Sequence, residues 1–374
     1  MTTRVRLERA AHGRMQVSIM VGGMTGPATM VRQHSRRIAT IAVTTLLLLI
    51  LVVVGTTVQV PFVALGPGPT VNTLGKLDDK PVVDITGAQV DPTTGNLNLT
   101  TVSVNDGLTL FDSIRLWLSG RYTVQPREQI FPPDQTTEQV QEQNQQQMSG
   151  SESTATAAAL RHLDRPTKLI VDSVAPDGPS SKVLRQGDQL LTVAGTAVST
   201  SEDVQSAVRR QKPGAAIPME IDRGGARQTV TVTAGSRPDA KDVAYIGLTP
   251  DVVNADPNLK ITYNVGDIGG PSAGLMLTLA VIDRLSPGEL TGGKFIAGTG
   301  TISDDGEVGP IGGITHKTRA AREAGASVFL VPEKNCTEAK SDAPDGLQLV
   351  KVDSLDSALS ALDDVRSGKD APHC

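Results

Sequence analysis

The 374-residue sequence contains few aromatic residues and no excess of positive charge. Aromatic residues make up 2% of the chain, so we expect aliphatic cores, with many turns at its 37 glycines and 23 prolines. The formal net charge is -5 and no basic, aromatic-rich patch occurs, so nothing indicates a nucleic-acid partner. This length allows two or three domains.

Several motifs of nucleotide-binding and catalytic sites are also absent. No Gly-x-x-x-x-Gly-Lys-Ser/Thr phosphate loop occurs: Gly-Gly-Lys at 292–294 lacks the first glycine and is followed by Phe295. The chain therefore shows no ATP-driven motor of its own. The absence of His-Glu-x-x-His excludes the metalloproteases that use it, and no Gly-Asp-Ser-Gly-Gly motif indicates a Ser-His-Asp peptidase. We expect no cofactor and no metal.

Cysteine is scarce, with only Cys336 and Cys374. In an oxidising compartment the two can form a bond that ties the C-terminus to its domain. Two unrelated thiols are the alternative, and the spacing does not decide between them.

Residues 38–54 form an apolar stretch interrupted only by threonines. As a helix this stretch is about 25 Å long, and extension to Val58 approaches the hydrocarbon thickness of about 30 Å. Arginines at 32, 36 and 37 precede it, which predicts a cytoplasmic N-terminus and an extracytoplasmic remainder. We predict a cytoplasmic tail at 1–37 and a single-pass signal anchor in the cell membrane at 38–58. A cleaved signal peptide is the alternative, but the apolar run exceeds the usual length of about 7–15 residues.

A Gly-Gly-Pro-Ser-Ala-Gly motif at 269–274 precedes an apolar run at 275–282. The pattern predicts a buried helix with Ser272 in or beside its first turn. Unpaired backbone N–H groups and the positive end of the helix dipole meet there. The N–H groups of Gly270 and Ser272 are therefore candidate donors to the oxyanion of an acyl-transfer intermediate.

A second motif, Gly-Gly-Ile-Thr-His-Lys at 312–317, places Lys317 in the first turn of a predicted helix at 315–323. Serine with lysine is one known nucleophile–base pair. A lysine base must be neutral, which burial favours by lowering its pKa. His316 is the alternative base, but adjacent helical positions point about 100° apart, so only one of the two can face Ser272.

The two motifs resemble the active site of Lon-type serine–lysine proteases, and the match extends over roughly 246–332. Thr-Gly at 299–300 and the Gly-Glu-Val-Gly-Pro-Ile-Gly-Gly segment at 306–313 follow the family pattern in register. The resemblance implies that Ser272 is the nucleophile, that Lys317 is the general base and that the Thr299 hydroxyl orients the lysine amine. It also implies an α+β domain that often assembles as a hexamer. The family usually carries an acid three positions before the serine, where this chain has Gly269.

Residues 164–236 resemble a PDZ domain. The resemblance rests on Gly-Pro-Ser at 178–180 and Gly-Asp-x-Leu-x-x-Val-x-Gly at 187–195, followed by a predicted helix at 201–210. It implies that an extended peptide adds to the sheet edge, with its C-terminal carboxylate held by backbone N–H groups. The carboxylate-binding loop should precede the first strand, and residues 163–167 do not supply it, so carboxylate capture stays open.

The remaining segments have weaker signals. Residues 61–75 read as a turn-rich exit from the bilayer. Strands at 81–85 and 96–104, with a turn at 91–95, predict a β-hairpin. Residues 108–118 predict an amphipathic helix. The Gln-rich segment at 135–153 is either a disordered spacer or a solvated helix from about Thr136, and we favour the helix. The tail at 366–374 is polar and is expected to be mobile.

The predicted fold is α+β, with a Lon-type domain at 240–365 after the PDZ domain. The region at 59–163 is assigned outside the membrane. Too few residues separate Thr233 from Ser272 for the hairpin that Lon-type domains carry before their serine. We therefore hypothesise that 82–104 supplies it and that the PDZ domain is inserted in the protease fold.

The sequence thus predicts a membrane-anchored, ATP-independent serine endopeptidase that cleaves extracytoplasmic protein or peptide substrates. A non-catalytic membrane scaffold, whose PDZ domain recruits partner proteins, is the alternative. The glycine at 269, where the related proteases carry an acid, is the main support for that alternative.

Overall fold

The computed structural model describes residues 27–237 and 240–374. Most of the predicted cytoplasmic tail therefore lies outside the described residues. The chain divides into two compact units, Met1–Gln59 with Thr109–Phe111, and Val60–Leu108 with Asp112–Cys374. Helices and strands are mixed throughout the second unit, as the α+β prediction requires.

The helices of the described chain follow one another with these bounds: α1 (Pro27–Thr57), α2 (Leu110–Leu118), α3 (Thr137–His162), α4 (Ser201–Arg209), α5 (Gly274–Leu285), α6 (Ile314–Ala324), α7 (Cys336–Ser341) and α8 (Leu355–Ser367). The strands are β1 (Phe62–Asn72), β2 (Lys76–Leu77), β3 (Lys80–Pro81), β4 (Val83–Thr86), β5 (Asn96–Asn105), β6 (Thr123–Pro126), β7 (Thr167–Val174), β8 (Gln189–Val193), β9 (Thr196–Ala197), β10 (Ala216–Arg223), β11 (Ala226–Thr233), β12 (Gly235–Arg237), β13 (Ala240–Tyr245), β14 (Leu248–Asn254), β15 (Lys260–Tyr263), β16 (Phe295–Gly298), β17 (Thr301–Ile302), β18 (Val308–Gly309), β19 (Val328–Pro332) and β20 (Gln348–Val352).

Helix α1 contains the predicted apolar segment. Its part Arg37–Thr57 has a mean hydropathy of 2.8 and is 21 residues long. A helix of that length measures about 32 Å, enough to cross a hydrocarbon core of about 30 Å. Its apolar side chains are exposed rather than packed in a protein core.

The first large sheet joins strands from both ends of the chain, in the order β20-β19-β16-β5-β1-β6. Strand β5 lies near its centre and pairs in parallel with β16 and antiparallel with β1. Leu97 and Leu99 of β5 are buried in the same apolar core as α5. Segments before and after the predicted PDZ domain therefore share one sheet and one core. The domain boundaries themselves stay a prediction.

The predicted hairpin between 81–85 and 96–104 is wrong in its pairing. Both segments are strands, but β4 pairs with β15, and β5 takes β1 as its antiparallel partner. Strand β1 includes the segment expected to be a turn-rich exit. Its Gly-Pro-Gly-Pro run fits the sheet through a register irregularity between Pro67 and Thr70, because proline cannot donate to the ladder.

The second large sheet has the order β11-β10-β8-β7-β14, with β9 beside β8. The chain enters it through α3 and β7 and leaves it through β14. These two strands are antiparallel neighbours, with Thr167 opposite Asn254, and Ala255 N–H donates to the Pro166 carbonyl over 3.0 Å. Entry and exit therefore lie side by side, as an inserted domain requires.

Helix α3 confirms the helical alternative for the Gln-rich segment. Thr136 caps it, accepting from the Gln139 N–H while the Gln139 side chain accepts from the Thr136 N–H. The helix contributes to two cores. Leu160 is buried with the first large sheet, whereas Ala157 belongs to the core of the second.

The C-terminal tail is ordered, contrary to expectation. Lys351 N–H donates to the Pro372 carbonyl and Cys374 N–H to the Leu349 carbonyl, so the tail pairs with β20. Cys374 and Cys336 form a disulfide. The tail is held because its main chain completes the edge of the sheet, which a reading of its polar side chains does not reveal.

Candidate active site

Ser272 lies in a tight turn before α5. Gly270 has a positive φ of 89°, which favours glycine, and Pro271 opens a single 3-10 turn that leads into the helix. The main chain of Ser272 is fixed by two bonds: its carbonyl accepts from Gly300 N–H over 3.0 Å and from the Thr299 hydroxyl over 3.0 Å. Thr299 and Gly300, which directly follow β16, therefore hold this turn in place.

Lys317 reaches this turn from the first turn of α6. Gly313 begins that helix with a φ of 68°, and a Cβ there would lie 2.9 Å from a side-chain carbon of Val102. The glycine thus lets α6 start against β5. Lys317 is 3% exposed, and its Nζ lies 3.0 Å from the Ser272 Oγ and 2.7 Å from the Thr100 carbonyl oxygen. Burial lowers the pKa of the ammonium to about 8.

The role expected of Thr299 is not what the structure shows. Its hydroxyl donates to the Ser272 carbonyl and not to the lysine amine. The carbonyl of Thr100 orients the amine instead. Sequence reasoning missed Thr100 because its contribution comes from the backbone, and only the alternating pattern that predicted β5 pointed to this strand.

The expectation for the Gly270 N–H is also corrected. It donates to the Asn144 carbonyl of α3 over 2.8 Å, so it is occupied in this structure. The Ser151 hydroxyl, two turns further along the same face of α3, donates to the Pro271 carbonyl over 3.1 Å. Helix α3 thus holds the turn that carries Ser272 at two consecutive residues.

The same helix explains the missing acid at position 269. A Cβ on Gly269 would lie 2.8 Å from the Asn144 Cβ and 3.3 Å from its carbonyl carbon. Any side chain there would require α3 or the turn to shift. The departure from the family pattern is therefore a packing requirement. Asp267, two positions earlier, lines the cleft described next.

An open cleft of about 870 Å³ surrounds the serine and the lysine. It is walled by β5, by the turn before α5 and by the segment before α6. The residues that line it are Pro69, Leu99, Thr100, Thr101, Val102, Asp267, Ile268, Gly269, Pro271, Ser272, Ala273, Thr301, Pro310, Ile311, Gly312 and Lys317. His316 is absent from this lining, and burial, followed by the charge of Arg319, lowers its pKa.

Family models match two parts of the chain. Residues 254–363 match the Lon protease (S16) C-terminal proteolytic domain. The chain contains a Lon-type proteolytic domain. Residues 139–234 match the PDZ domain model, which starts within α3, earlier than the predicted boundary.

Parts of the chain are similar to Lon proteases and to DegP-like serine endoproteases. The chain is 34% identical over 122 residues to a Lon protease of Chloroflexus aggregans, covering 31% of this chain and 14% of that protein. It is 41% identical over 86 residues to a probable periplasmic serine endoprotease DegP-like of Pseudomonas putida, covering 23% and 18%. With Lon protease 2 of Bacillus subtilis the identity is 27% over 204 residues, covering 52% and 32%. The chain thus spans 14% to 32% of the length of these curated relatives.

Among solved structures, the PDZ domain of an SdrC-like protein from Listeria monocytogenes is similar. The identity is 21% and the TM-score 0.21, with 22% of this chain and 86% of that chain covered.

A second cleft of about 310 Å³ lies in the PDZ domain, beside α4. Val204 and Val208 of α4 line one side, and the turn between β13 and β14 lines the other. Gly247 in this turn has a φ of 68°. A glycine turn therefore leads into β14, the strand at one end of the sheet. It comes after β7 to β11 in the chain and not before them. The PDZ resemblance places such a turn before the first strand, at 163–167, and not at this position.

Proposed function

We propose that this protein is a membrane-anchored, ATP-independent serine endopeptidase in which Ser272 is the nucleophile and Lys317 the general base. One observation carries the proposal: a buried amine lies 3.0 Å from the serine hydroxyl, at the wall of an open cleft. The match of residues 254–363 to a proteolytic domain supports it.

The first step is proton transfer from the serine to a neutral lysine. With a pKa of about 8, about a tenth of the amine is neutral at pH 7. A neutral amine that donates to the Thr100 carbonyl can direct its lone pair toward the Ser272 Oγ. The Ser272 Oγ attacks the scissile carbonyl while the amine takes the proton of its hydroxyl.

The later steps use the same pair. The protonated Lys317 gives its proton to the leaving amine as the tetrahedral intermediate collapses to an acyl-enzyme. A water molecule, deprotonated by the lysine, then hydrolyses the ester and restores the serine. The Ser272 N–H, in the 3-10 turn at the start of the helix, is the proposed donor to the oxyanion.

Three features support an extracytoplasmic location of the part of the chain that follows α1. The apolar segment Arg37–Thr57 is long enough to span a bilayer. Arginines at 32, 36 and 37 lie at its N-terminal end, and positive charge of this kind favours the cytoplasmic side of a membrane. The disulfide between Cys336 and Cys374 is of a kind that persists in oxidising compartments. Assembly into a hexamer stays a prediction.

The PDZ domain is proposed to bind substrate. The cleft beside α4 is lined mostly by apolar side chains, together with Gln205, Arg209 and Arg237, and it includes a glycine turn, which suits an extended peptide added along β14. Without an unfoldase in this chain, we expect flexible or unfolded protein segments as substrates.

Covalent labelling with a fluorophosphonate, together with cleavage of an unfolded protein, tests the proposal. The wild-type chain should be labelled and active, whereas Ser272→Ala should show neither property. Lys317→Ala should lose activity with the fold intact by circular dichroism, and His316→Ala should stay active because His316 does not line the cleft. An inert wild-type chain would favour the membrane scaffold, and normal turnover by Lys317→Ala would refute the assignment of the base.

A further inference from the structure

The apolar side of helix α2 is turned to solvent. An α-helix turns by about 100° per residue, so positions 110, 111, 114, 117 and 118 share an arc of about 120°. All five residues are large and exposed, with Trp117 65% and Leu118 70% exposed. Ser113, by contrast, is buried. A helix that packed its apolar side on a domain would bury the large apolar residues and expose the polar ones. The exposed face consists of Leu110, Phe111, Ile114, Trp117 and Leu118.

The first turn of α2 meets the end of the apolar helix α1. Gln59 forms an antiparallel bridge with Thr109. Phe111 lies against Gly55, where an added Cβ would be 2.6 Å from a ring carbon. Because α1 ends at Thr57, these contacts place the start of α2 where a membrane-spanning helix leaves the hydrocarbon core.

We propose that α2 is an interfacial helix that inserts its exposed apolar face into the outer surface of the lipid bilayer. The proposal rests on the proposed membrane anchoring and goes beyond it by assigning a second, peripheral membrane contact. The continuity of the face with the end of α1 identifies a bilayer as the occupant, in preference to a second copy of the chain. Tryptophan is a residue that favours this interface, and apolar side chains of such helices lie about 5–10 Å deep.

This contact has a consequence for the peptidase. Strand β5, which supplies the Thr100 carbonyl to Lys317, ends at Asn105, shortly before α2 begins at Leu110. An α2 held in the interface therefore keeps the end of this strand close to the membrane surface. Segments of proteins close to the membrane are then the favoured substrates.

Trp117 allows a direct test, because it is the only tryptophan of the chain. The full-length protein is reconstituted in phosphatidylcholine vesicles with plain or brominated acyl chains. We expect strong loss of the Trp117 emission with bromines near the headgroup end and a smaller loss with bromines deep in the bilayer. The matched control is Trp117→Phe with Gln228→Trp, which moves the single tryptophan to the exposed face of strand β11; its emission should not change.

Flotation of the same vesicles separates this proposal from the anchoring itself. If the chain floats with the vesicles but Trp117 keeps its emission, α2 is not interfacial although the anchor stands. A chain that does not float refutes both. Equal quenching of the control variant would show unspecific contact, and a blue-shifted but unquenched Trp117 would show that protein covers the face; each of these results overturns the proposal.

Discussion

The ammonium of Lys317 donates a hydrogen bond to the Thr100 carbonyl, which lies 217 positions earlier in the chain, over 2.7 Å. This bond places the N-terminal strands and the C-terminal motifs in one site, across the PDZ domain that separates them. The amine is buried, and its second partner is the Ser272 hydroxyl.

A fragment that starts after the PDZ domain should therefore fail. Residues 240–374 contain both motifs but lack β5, so β16 loses its neighbour and the lysine loses its acceptor. We expect this fragment to show neither a cooperative unfolding transition nor peptidase activity. The chain from residue 60 to 374, as a matched control, should show both. A folded, active fragment would contradict the view that the early strands belong to the protease fold.

Activity should rise with pH. The neutral amine is the base, and the pKa of Lys317 is about 8, so kcat/KM should increase about tenfold per pH unit below that value and level off above it. A rate profile on a small peptide ester between about pH 6 and 9 measures this. A flat profile, or one with its midpoint near the pKa of an ordinary histidine, would argue against Lys317.

The same group should affect stability. An unfolded lysine has its usual pKa of 10.5, so between about 8 and 10.5 the unfolded state binds more protons than the folded state. The free energy of unfolding contributed by this site therefore rises with pH in that window. Lys317→Met, which does not titrate, should lack this rise in urea unfolding. Identical pH slopes for the two proteins would mean that the amine is not buried.

Ser151 is expected to position the nucleophile. Its hydroxyl donates to the Pro271 carbonyl, and loss of such a bond costs about 1 kcal/mol, or about fivefold in rate if it acts on the transition state. Ser151→Ala should therefore lower kcat several-fold with little change in KM. Ser149→Ala, at an exposed position of the same helix, is the control and should be unchanged. Equal kinetics for both variants would show that the Ser151 hydroxyl does not position the nucleophile.

The disulfide should contribute to stability rather than to chemistry. It closes a loop of 38 positions, for which the chain-entropy model gives about 4 kcal/mol, and measured values are typically about 2–4 kcal/mol. Cys374→Ser should lower the free energy of unfolding by about 2–4 kcal/mol in detergent-solubilised protein. Ser272 should remain reactive to a fluorophosphonate. Unchanged stability under oxidising conditions would mean that the two cysteines are not paired in solution.

Local features of the fold were predictable. The capping Thr136, the turn at Pro271 and the glycines that begin and end α6 each act within a few residues of their own helix, so the sequence predicts those helices well. The long-range pairing was not predictable. The sequence predicted β4 as the partner of β5, but β5 pairs with β1 and β4 pairs with β15. Several alternating segments could pair with β5, and their local patterns do not determine which of them does so.

The sequence alone determined the chemistry that is available: a serine at a glycine–proline turn, a lysine at the start of a helix and an apolar segment of spanning length. Only the tertiary structure decided how these groups are oriented. The Thr100 carbonyl, the Asn144 carbonyl that occupies the Gly270 N–H and the pairing of the tail with β20 are all backbone contacts between distant segments. Every residue carries the same carbonyl and nearly every residue the same N–H, so no side-chain pattern marks the few that the fold brings together.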